Sequence, residues 1–320
     1  MACLYLTSVD EGSGRTALAA ALGRGLVDEG RKVGFLKVGG DSADAEFLKG
    51  ALGLEEGTEL VGPAVEDVKA AWGRVSAGKD LVIVEGVAGG EAGVELAKAL
   101  DAKVVLVVRY KAGMTAEQVL PTAKKWSDSL VGVVINAIPE RRLDSVKGSV
   151  VASLEEAGVK VLAQLPEDRA LFAFSVAELA WHLGGEILNS AERSDELVQS
   201  LMVGAMCVDP APLYLGLRSN KAVITRGDRP DVQLAAFETA TTCLVLTGGI
   251  APIPNVLARA EEVAVPIMVV AKDTVATLAE IEAMFPQVRF RAEKKLKRMA
   301  DLLAERFDFA ALYQALGLAA

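Results

Sequence analysis

Short, mainly apolar runs recur along the first half of the chain, each ending at a polar or charged residue, a glycine or a proline. Residues 3–6, 33–38, 80–84, 103–108, 130–136 and 159–165 are runs of this kind. Runs this apolar, with no regular polar face, read as strands buried on both sides. The segments between them read as helices, beginning with an alanine- and leucine-rich stretch over 17–26 that ends at Gly30-Arg31-Lys32 with a capping glycine and basic residues. Buried strands alternating with helices predict an α/β fold, a mainly parallel sheet with helices on both faces.

The second half keeps the alternation but punctuates it differently. Ser175 and Glu178 have the capping-box spacing that opens a helix. Strands are predicted over 221–225, 242–247 and 265–270, a helix over 232–239, and another helix opened by Asp273-Thr274. Pro210 and Pro212 break the pattern ahead of the first of these strands. The expected organisation is a first domain over 1–185, a smaller α/β domain over 186–290, and a helical tail over 291–320. The basic run 291–298 in that tail reads as the solvated face of a packing helix.

A chain of 320 residues has room for two domains, at ~100–200 residues each. The formal charge of -9 argues against nucleic acid or an anionic membrane as the main partner. No apolar run approaches the ~18 residues of a membrane span, and no leader-like segment opens the sequence, so a cytoplasmic location is expected. Cys3, Cys207 and Cys243 lie in apolar contexts without metal-ligand spacing and read as reduced core thiols. The only histidine, His182, has no second histidine or cysteine at ligand spacing, so no histidine-based nucleophilic relay is read from the chain.

The chemistry concentrates in the first turn, where residues 3–6 run into Thr7-Ser8-Val9-Asp10-Glu11-Gly12-Ser13-Gly14-Arg15-Thr16 and a helix follows. Strand, glycine loop, hydroxyl residue and helix is the layout in which backbone N–H groups wrap phosphates and a threonine hydroxyl ligates Mg²⁺. The pattern G-x-x-x-x-G-K-[ST] asks for Gly at position 9 and Lys at position 15, where this chain has Val9 and Arg15. A glycine-rich turn without a ligand is the other reading. Lys37 lies near the carboxyl end of the second run, followed by Asp41, Asp44 and Glu46. The carboxyl ends of parallel strands are where such sheets bind ligands, although Asp41 and Glu46 fit solvated loop positions better. The run over 80–84 ends in Glu85, Gly86 and further glycines including Gly89. That carboxylate is placed to hold Mg²⁺ opposite Thr16, or else is a structural glutamate, and the glycines admit close backbone approach. Asn136 closes the fifth run with an amide suited to a base edge or to ending a turn.

Taken together, Gly12-Ser13-Gly14-Arg15-Thr16, Phe35-Leu36-Lys37-Val38, the Val84–Gly90 run and Val134-Ile135-Asn136 resemble the dethiobiotin synthetase family of P-loop proteins. The resemblance implies Mg²⁺ among Thr16, Asp44 and Glu85, and Asn136 facing the adenine of ATP. In the synthetase, lysines matching positions 15 and 37 assist a carbamate attacking the γ-phosphate; only Lys37 is lysine here, so it is the candidate catalytic residue. Further on, Gly227-Asp228-Arg229-Pro230-Asp231 and Leu246-Thr247-Gly248-Gly249 resemble the DRTGG domain, with proline where its name has threonine. Asp228 and Arg229 are expected to bind an anion or partner carboxylate, or to pair with each other, while Thr247, Gly248 and Gly249 offer N–H groups to a ligand or a second subunit. The two domains occur joined in this order at the front of long phosphotransacetylases, so the chain resembles a free-standing regulatory portion of such an enzyme.

The expected function is therefore a nucleotide-binding regulatory protein, taking Mg²⁺ and ATP or a related nucleotide at Gly12, Ser13, Gly14, Arg15, Thr16, Gly86 and Asn136. Its expected partners are the nucleotide, a second copy of the chain and a separate phosphotransacetylase-type enzyme. Two alternatives stand beside it: an ATP-dependent ligase of the dethiobiotin type, and a degenerate scaffold that binds no nucleotide. Arg15 in place of lysine is expected to limit catalysis to a weak ATPase or ligase, since phosphoryl transfer depends on close positioning of charge.

Overall fold

The computed structural model describes residues 1–54, 58–88, 90–206, 211–284 and 288–318. Cys207, Gly89 and Pro210 lie outside the described residues. The chain forms two compact units, 1–168 together with 295–320, and 169–294. The expected boundaries at 185 and 290 differ from these, and the final helices belong to the first unit.

The first unit is a seven-stranded sheet in the order β3-β2-β4-β1-β5-β6-β7. Its strands are β1 (Ala2–Ser8), β2 (Val33–Val38), β3 (Thr58–Val61), β4 (Leu81–Ala88), β5 (Lys103–Arg109), β6 (Leu130–Ile138) and β7 (Val161–Pro166). Every neighbouring pair is parallel. β1, β2 and β4 are buried over nearly their whole length, as strands flanked on both sides and both faces must be. Helices α1 (Arg15–Asp28), α2 (Ser42–Ala51), α3 (Val65–Val75), α4 (Glu91–Ala99) and α5 (Ala116–Lys125) make the crossovers. A further helical segment follows β6, as α6 (Leu143–Val146), a π turn and α7 (Ala152–Glu156). The expected α/β class and parallel sheet are borne out. β3 was not anticipated, because it is only four residues long at the sheet margin and its sequence Thr-Glu-Leu-Val has just two apolar residues.

Strand order carries the chain outward from β1 to β3, back to β4, and then out on the other side through β5 to β7. Ligands bind such sheets at the carboxyl ends of the strands, where the winding reverses. The loop after β1 and the end of β4 are both at that place.

The second unit opens with β8 (Phe174–Ser175), α8 (Val176–Leu183), β9 (Glu186–Ile187), β10 (Leu197–Val198) and β11 (Ser200–Val203). It continues through α9 (Ala211–Leu215), β12 (Lys221–Arg226), α10 (Pro230–Phe237), β13 (Thr241–Thr247), α11 (Pro254–Glu262), β14 (Ile267–Val269) and α12 (Thr274–Met284). Its five-stranded sheet has the order β11-β12-β13-β14-β9, with only β9 antiparallel to its neighbour, and β8 pairs with β10 separately. The Ser175–Glu178 capping box and the Asp273 cap are both formed. Cys3 and Cys243 are buried free thiols, both pushed up by burial, Cys243 to about 12.

The chain ends in α13 (Glu293–Arg306) and α14 (Phe309–Leu316). Their residues from Lys295 onward fasten to the first unit. The Asp308 N–H donates to the Leu162 carbonyl of β7 at 2.8 Å. Arg298 pairs with Asp168 at 2.6 Å, and Tyr313 donates to Glu29 at 2.6 Å.

Candidate functional site

The loop from Ser8 to Thr16 depends on glycine at two positions. Gly12 has φ +68° and Gly14 φ +97°, a region that side chains disfavour. Within the loop, Ser8 and Ser13 both donate their hydroxyls to the Asp10 carbonyl at 2.7 Å. Gly14 also serves as the N-cap of α1. No side chain caps this helix and no acidic residue occupies its first turn. A helix whose leading N–H groups have no side-chain acceptor presents donors and a partial positive charge to an anion.

Thr16, in the first turn of α1, points across to β4. Its hydroxyl donates to Glu85 Oε1 at 2.8 Å. Lys37 is the register partner of Glu85 on β2 and donates to the same oxygen at 2.8 Å. The ammonium also lies 3.5 Å from Asp44 Oδ2, in the first turn of α2. Lys37 and Glu85 are almost wholly buried. The other oxygen, Glu85 Oε2, is buried and meets no hydrogen-bond partner. Thus Thr16, Lys37, Asp44 and Glu85, predicted separately from four places in the sequence, meet at one point. Asp41 does something different, capping α2 by accepting the Ala43 N–H at 3.0 Å.

The other predicted loop residues have partners of their own. Arg15 Nη1 donates to the Gly86 carbonyl at the end of β4. A Cβ on Gly86 would collide with the Tyr5 ring, so the close approach that this glycine permits is made by Tyr5. The Tyr5 hydroxyl is buried, and burial pushes its pKa up to about 12. Asn136 donates from Nδ2 to the Ser13 carbonyl at 2.9 Å and accepts the Ala137 N–H at 2.9 Å.

Sequence reasoning missed two basic residues at the end of β5. Arg109 donates to the Gly12 carbonyl at 3.3 Å, and Lys111 pairs with Asp10 at 2.5 Å. The available signal was the run Arg109-Tyr110-Lys111 directly after an apolar strand, whose meaning depends on β5 lying beside β1.

In the second unit the predicted residues are saturated. Asp228 pairs with Arg226 through both carboxylate oxygens, at 3.0 and 2.8 Å, and Arg229 pairs with Asp231 at 2.9 and 2.8 Å. The expected Asp228–Arg229 pairing is thus corrected: each carboxylate takes the guanidinium two residues away, where the fork can engage both oxygens. These arginines hold the Asp228 and Asp231 carboxyls below their ordinary range. Gly248 and Gly249 donate their N–H groups to the carbonyls of Lys272 and Val270, at 2.8 and 2.9 Å. The donors expected to be open are therefore engaged, because the turn folds back on the segment after β14. Thr247 is buried and shares a hydrogen bond of 2.8 Å with Thr274.

Comparison with known proteins agrees with this division. Residues 62–173 match the AAA domain family and residues 178–284 the DRTGG domain family. The first match begins beyond the glycine loop and includes Glu85, Gly86 and Asn136. The chain is similar to phosphate acetyltransferase of Pseudomonas aeruginosa, with 24% identity over 99% of this chain and 52% of that protein. It is similar to the ATP-dependent dethiobiotin synthetase of Methanococcus vannielii, with 24% identity over 55% of this chain and 98% of that protein. Among solved structures it matches the CBS and DRTGG domains of Clostridium perfringens pyrophosphatase complexed with diadenosine tetraphosphate. That likeness has a TM-score of 0.31 and 22% identity, over 36% of this chain and 50% of the other. The chain spans about half the length of the Pseudomonas acetyltransferase. The recognition of a dethiobiotin synthetase-like P-loop domain followed by a DRTGG domain is borne out. Among the described residues no helix is long and apolar enough to cross a membrane.

Proposed function

We propose that the first unit binds a magnesium nucleotide, ATP or a relative of it, and that the chain acts as a nucleotide-responsive regulatory module. The observation that carries the reading is the junction of Thr16, Lys37, Asp44 and Glu85 beside the uncapped start of α1, with Glu85 Oε2 buried and unpartnered. A buried carboxylate oxygen without a donor suits a cation.

Magnesium fits these residues. Among the described residues no group of three or more histidine, cysteine or carboxylate side chains gathers as a metal site. A hydroxyl and two carboxylates nonetheless form a hard-oxygen set, and Mg²⁺ is commonly held by one or two carboxylates together with phosphate and water. Thr16, Asp44 and Glu85 would hold the ion, which when bound neutralises charge on the phosphate oxygens. Lys37 keeps its ammonium against Glu85 and Asp44, which orients both carboxylates. The N–H groups of the loop and of α1 are left to face the phosphates, while Arg15 is directed to the Gly86 carbonyl.

Calorimetric titration with Mg-ATP, Mg-ADP and Mg-GTP, repeated after chelation, tests the reading. Metal-dependent binding that Thr16→Ala weakens about tenfold or more supports it. Absence of heat with every nucleotide would falsify it, and Thr16→Ala without any effect points to the scaffold instead. A ligase of the dethiobiotin type is the second reading, favoured by Lys37 in the cluster and by the similarity that covers 98% of the Methanococcus synthetase. It requires phosphate release that accelerates with a diamine and bicarbonate. The regulated partner in the first reading is a separate phosphotransacetylase-type enzyme, supported by similarity to the Pseudomonas phosphate acetyltransferase over 99% of this chain. Assembly with a second copy of the chain is part of the same reading.

A further inference from the structure

Asn136 stands where the sequence suggests a reader of the base, at the carboxyl end of β6. Its bonds run elsewhere. Nδ2 donates to the Ser13 carbonyl and Oδ1 accepts the Ala137 N–H, each at 2.9 Å, while its own carbonyl accepts the Tyr110 N–H at 2.8 Å. The two side-chain bonds determine which end of the amide is which. Only an N–H can serve the Ser13 carbonyl, and only an oxygen can serve the Ala137 N–H.

The backbone is bent to achieve this. Ala137 has φ +58°, a region that residues with a side chain rarely occupy, and the pairing of β6 with β7 slips between Ile135 and Ile138. The loop has adapted as well, since a Cβ on Gly14 would collide with Asn136 Nδ2. The amide therefore lies directly against the last glycine before α1.

We infer that Asn136 is a positioning residue that holds the Ser13–Gly14 peptide in the shape phosphates require, and that the site selects the polyphosphate rather than the base. This rests on the nucleotide reading above and deepens it. An exocyclic amino group on a base would need the Oδ1 acceptor, and that oxygen is turned back to its own strand end. The loop amides and the α1 terminus, by contrast, meet groups common to every nucleoside triphosphate.

The test uses the full chain with Asn136→Ala and Asn136→Asp. Aspartate keeps the acceptor for Ala137 but sets an oxygen against the Ser13 carbonyl. Hydrogen exchange is first followed without ligand, in peptides covering residues 10–18. Both variants should exchange about tenfold faster there, with β1 and β4 unchanged and the same unfolding midpoint. Titrations with Mg-ATP, Mg-GTP and magnesium tripolyphosphate follow. Wild-type affinities for the two nucleotides should agree within about threefold, and both variants should lose about tenfold for all three ligands alike. Unchanged loop exchange overturns the positioning role, whatever the nucleotides do. A wild-type base preference that the variants erase overturns the selectivity. Faster loop exchange in a protein that binds none of the three ligands upholds the positioning role and removes the nucleotide reading on which the selectivity depends.

Discussion

The turn after β1 in the first unit passes through Gly12 and Gly14 at positive φ, and the turn after β13 in the second unit passes through Gly248 and Gly249 at positive φ. Both follow buried strands, both carry a threonine, and both lead towards a helix. In the second unit the glycine N–H groups close on Lys272 and Val270 and the arginines nearby close on neighbouring aspartates, although α11, the helix that follows, has no side-chain cap. In the first unit the side chains around the loop bond to its carbonyls, as Asn136 does at Ser13 and Arg109 at Gly12, and leave its N–H groups facing outward; α1, like α11, starts without a side-chain cap. Glycines and charges at a strand end are thus an insufficient sign of a ligand site. What separates the two turns is whether the protein has already supplied partners for their donors.

The largest test of this contrast is Lys37→Met. It strips the buried Glu85 of its counter-charge, and breaking such a pair costs about 3 kcal/mol or more. Denaturant unfolding should show that loss in the first unit, and a change below about 1 kcal/mol would mean the pair does not brace the site. Gly14→Ala comes next, because it combines positive φ with collision against Asn136. Strain of about 1–3 kcal/mol should appear as a ten- to hundredfold loss of Mg-ATP affinity, roughly. Gly248→Ala has the same backbone problem but open space around it, with the nearest atom 3.8 Å away. It should lower stability while leaving nucleotide binding intact, and equal effects from the two alanines would erase the difference between the two turns.

A smaller effect concerns Lys221 of the second unit, buried at the start of β12 with Nζ bonded to Thr239 and to the Ala240 carbonyl. Burial lowers its pKa from 10.5 to about 8. The folded state therefore binds fewer protons than the unfolded state between those values, and stability from this group rises with pH across that window. Relative to Lys221→Met, the wild type should gain stability from pH 8 to 10.5, as read by unfolding midpoints. A flat difference would refute the buried amine. The smallest effect is expected from Asp228→Asn, whose ion pair with Arg226 is exposed. The unfolding midpoint should stay where it is, and so should nucleotide affinity.

Much of the first unit was legible because its strands are buried on both faces and so appear as mainly apolar runs. Thr16, Lys37 and Glu85 were legible too, since residues at adjoining strand and helix ends in a parallel sheet have few other places to go. The partners of Arg15, Arg109 and Asn136 were not. Each bonds to a backbone carbonyl, and a carbonyl leaves no trace in the identity of its residue. The second unit gave up its strands but not its ion pairs, because Asp228 had arginines on both sides and only geometry chose between them. The fastening of α13 and α14 to the first unit was hidden for another reason: Tyr313 meets Glu29, and Arg298 meets Asp168, across long separations in the chain.

That fastening bears on how the first unit can be isolated. β7 is the last strand of its sheet, and a chain stopped at Asp168 would leave it without the backbone donor from Asp308 and without its helical cover. Bare strand edges invite aggregation. A graft that splices Asp168 to Lys295 with a brief glycine-serine bridge, omitting the guest segment between them, is the sounder excision, because Arg298 already brings the two cut ends into proximity.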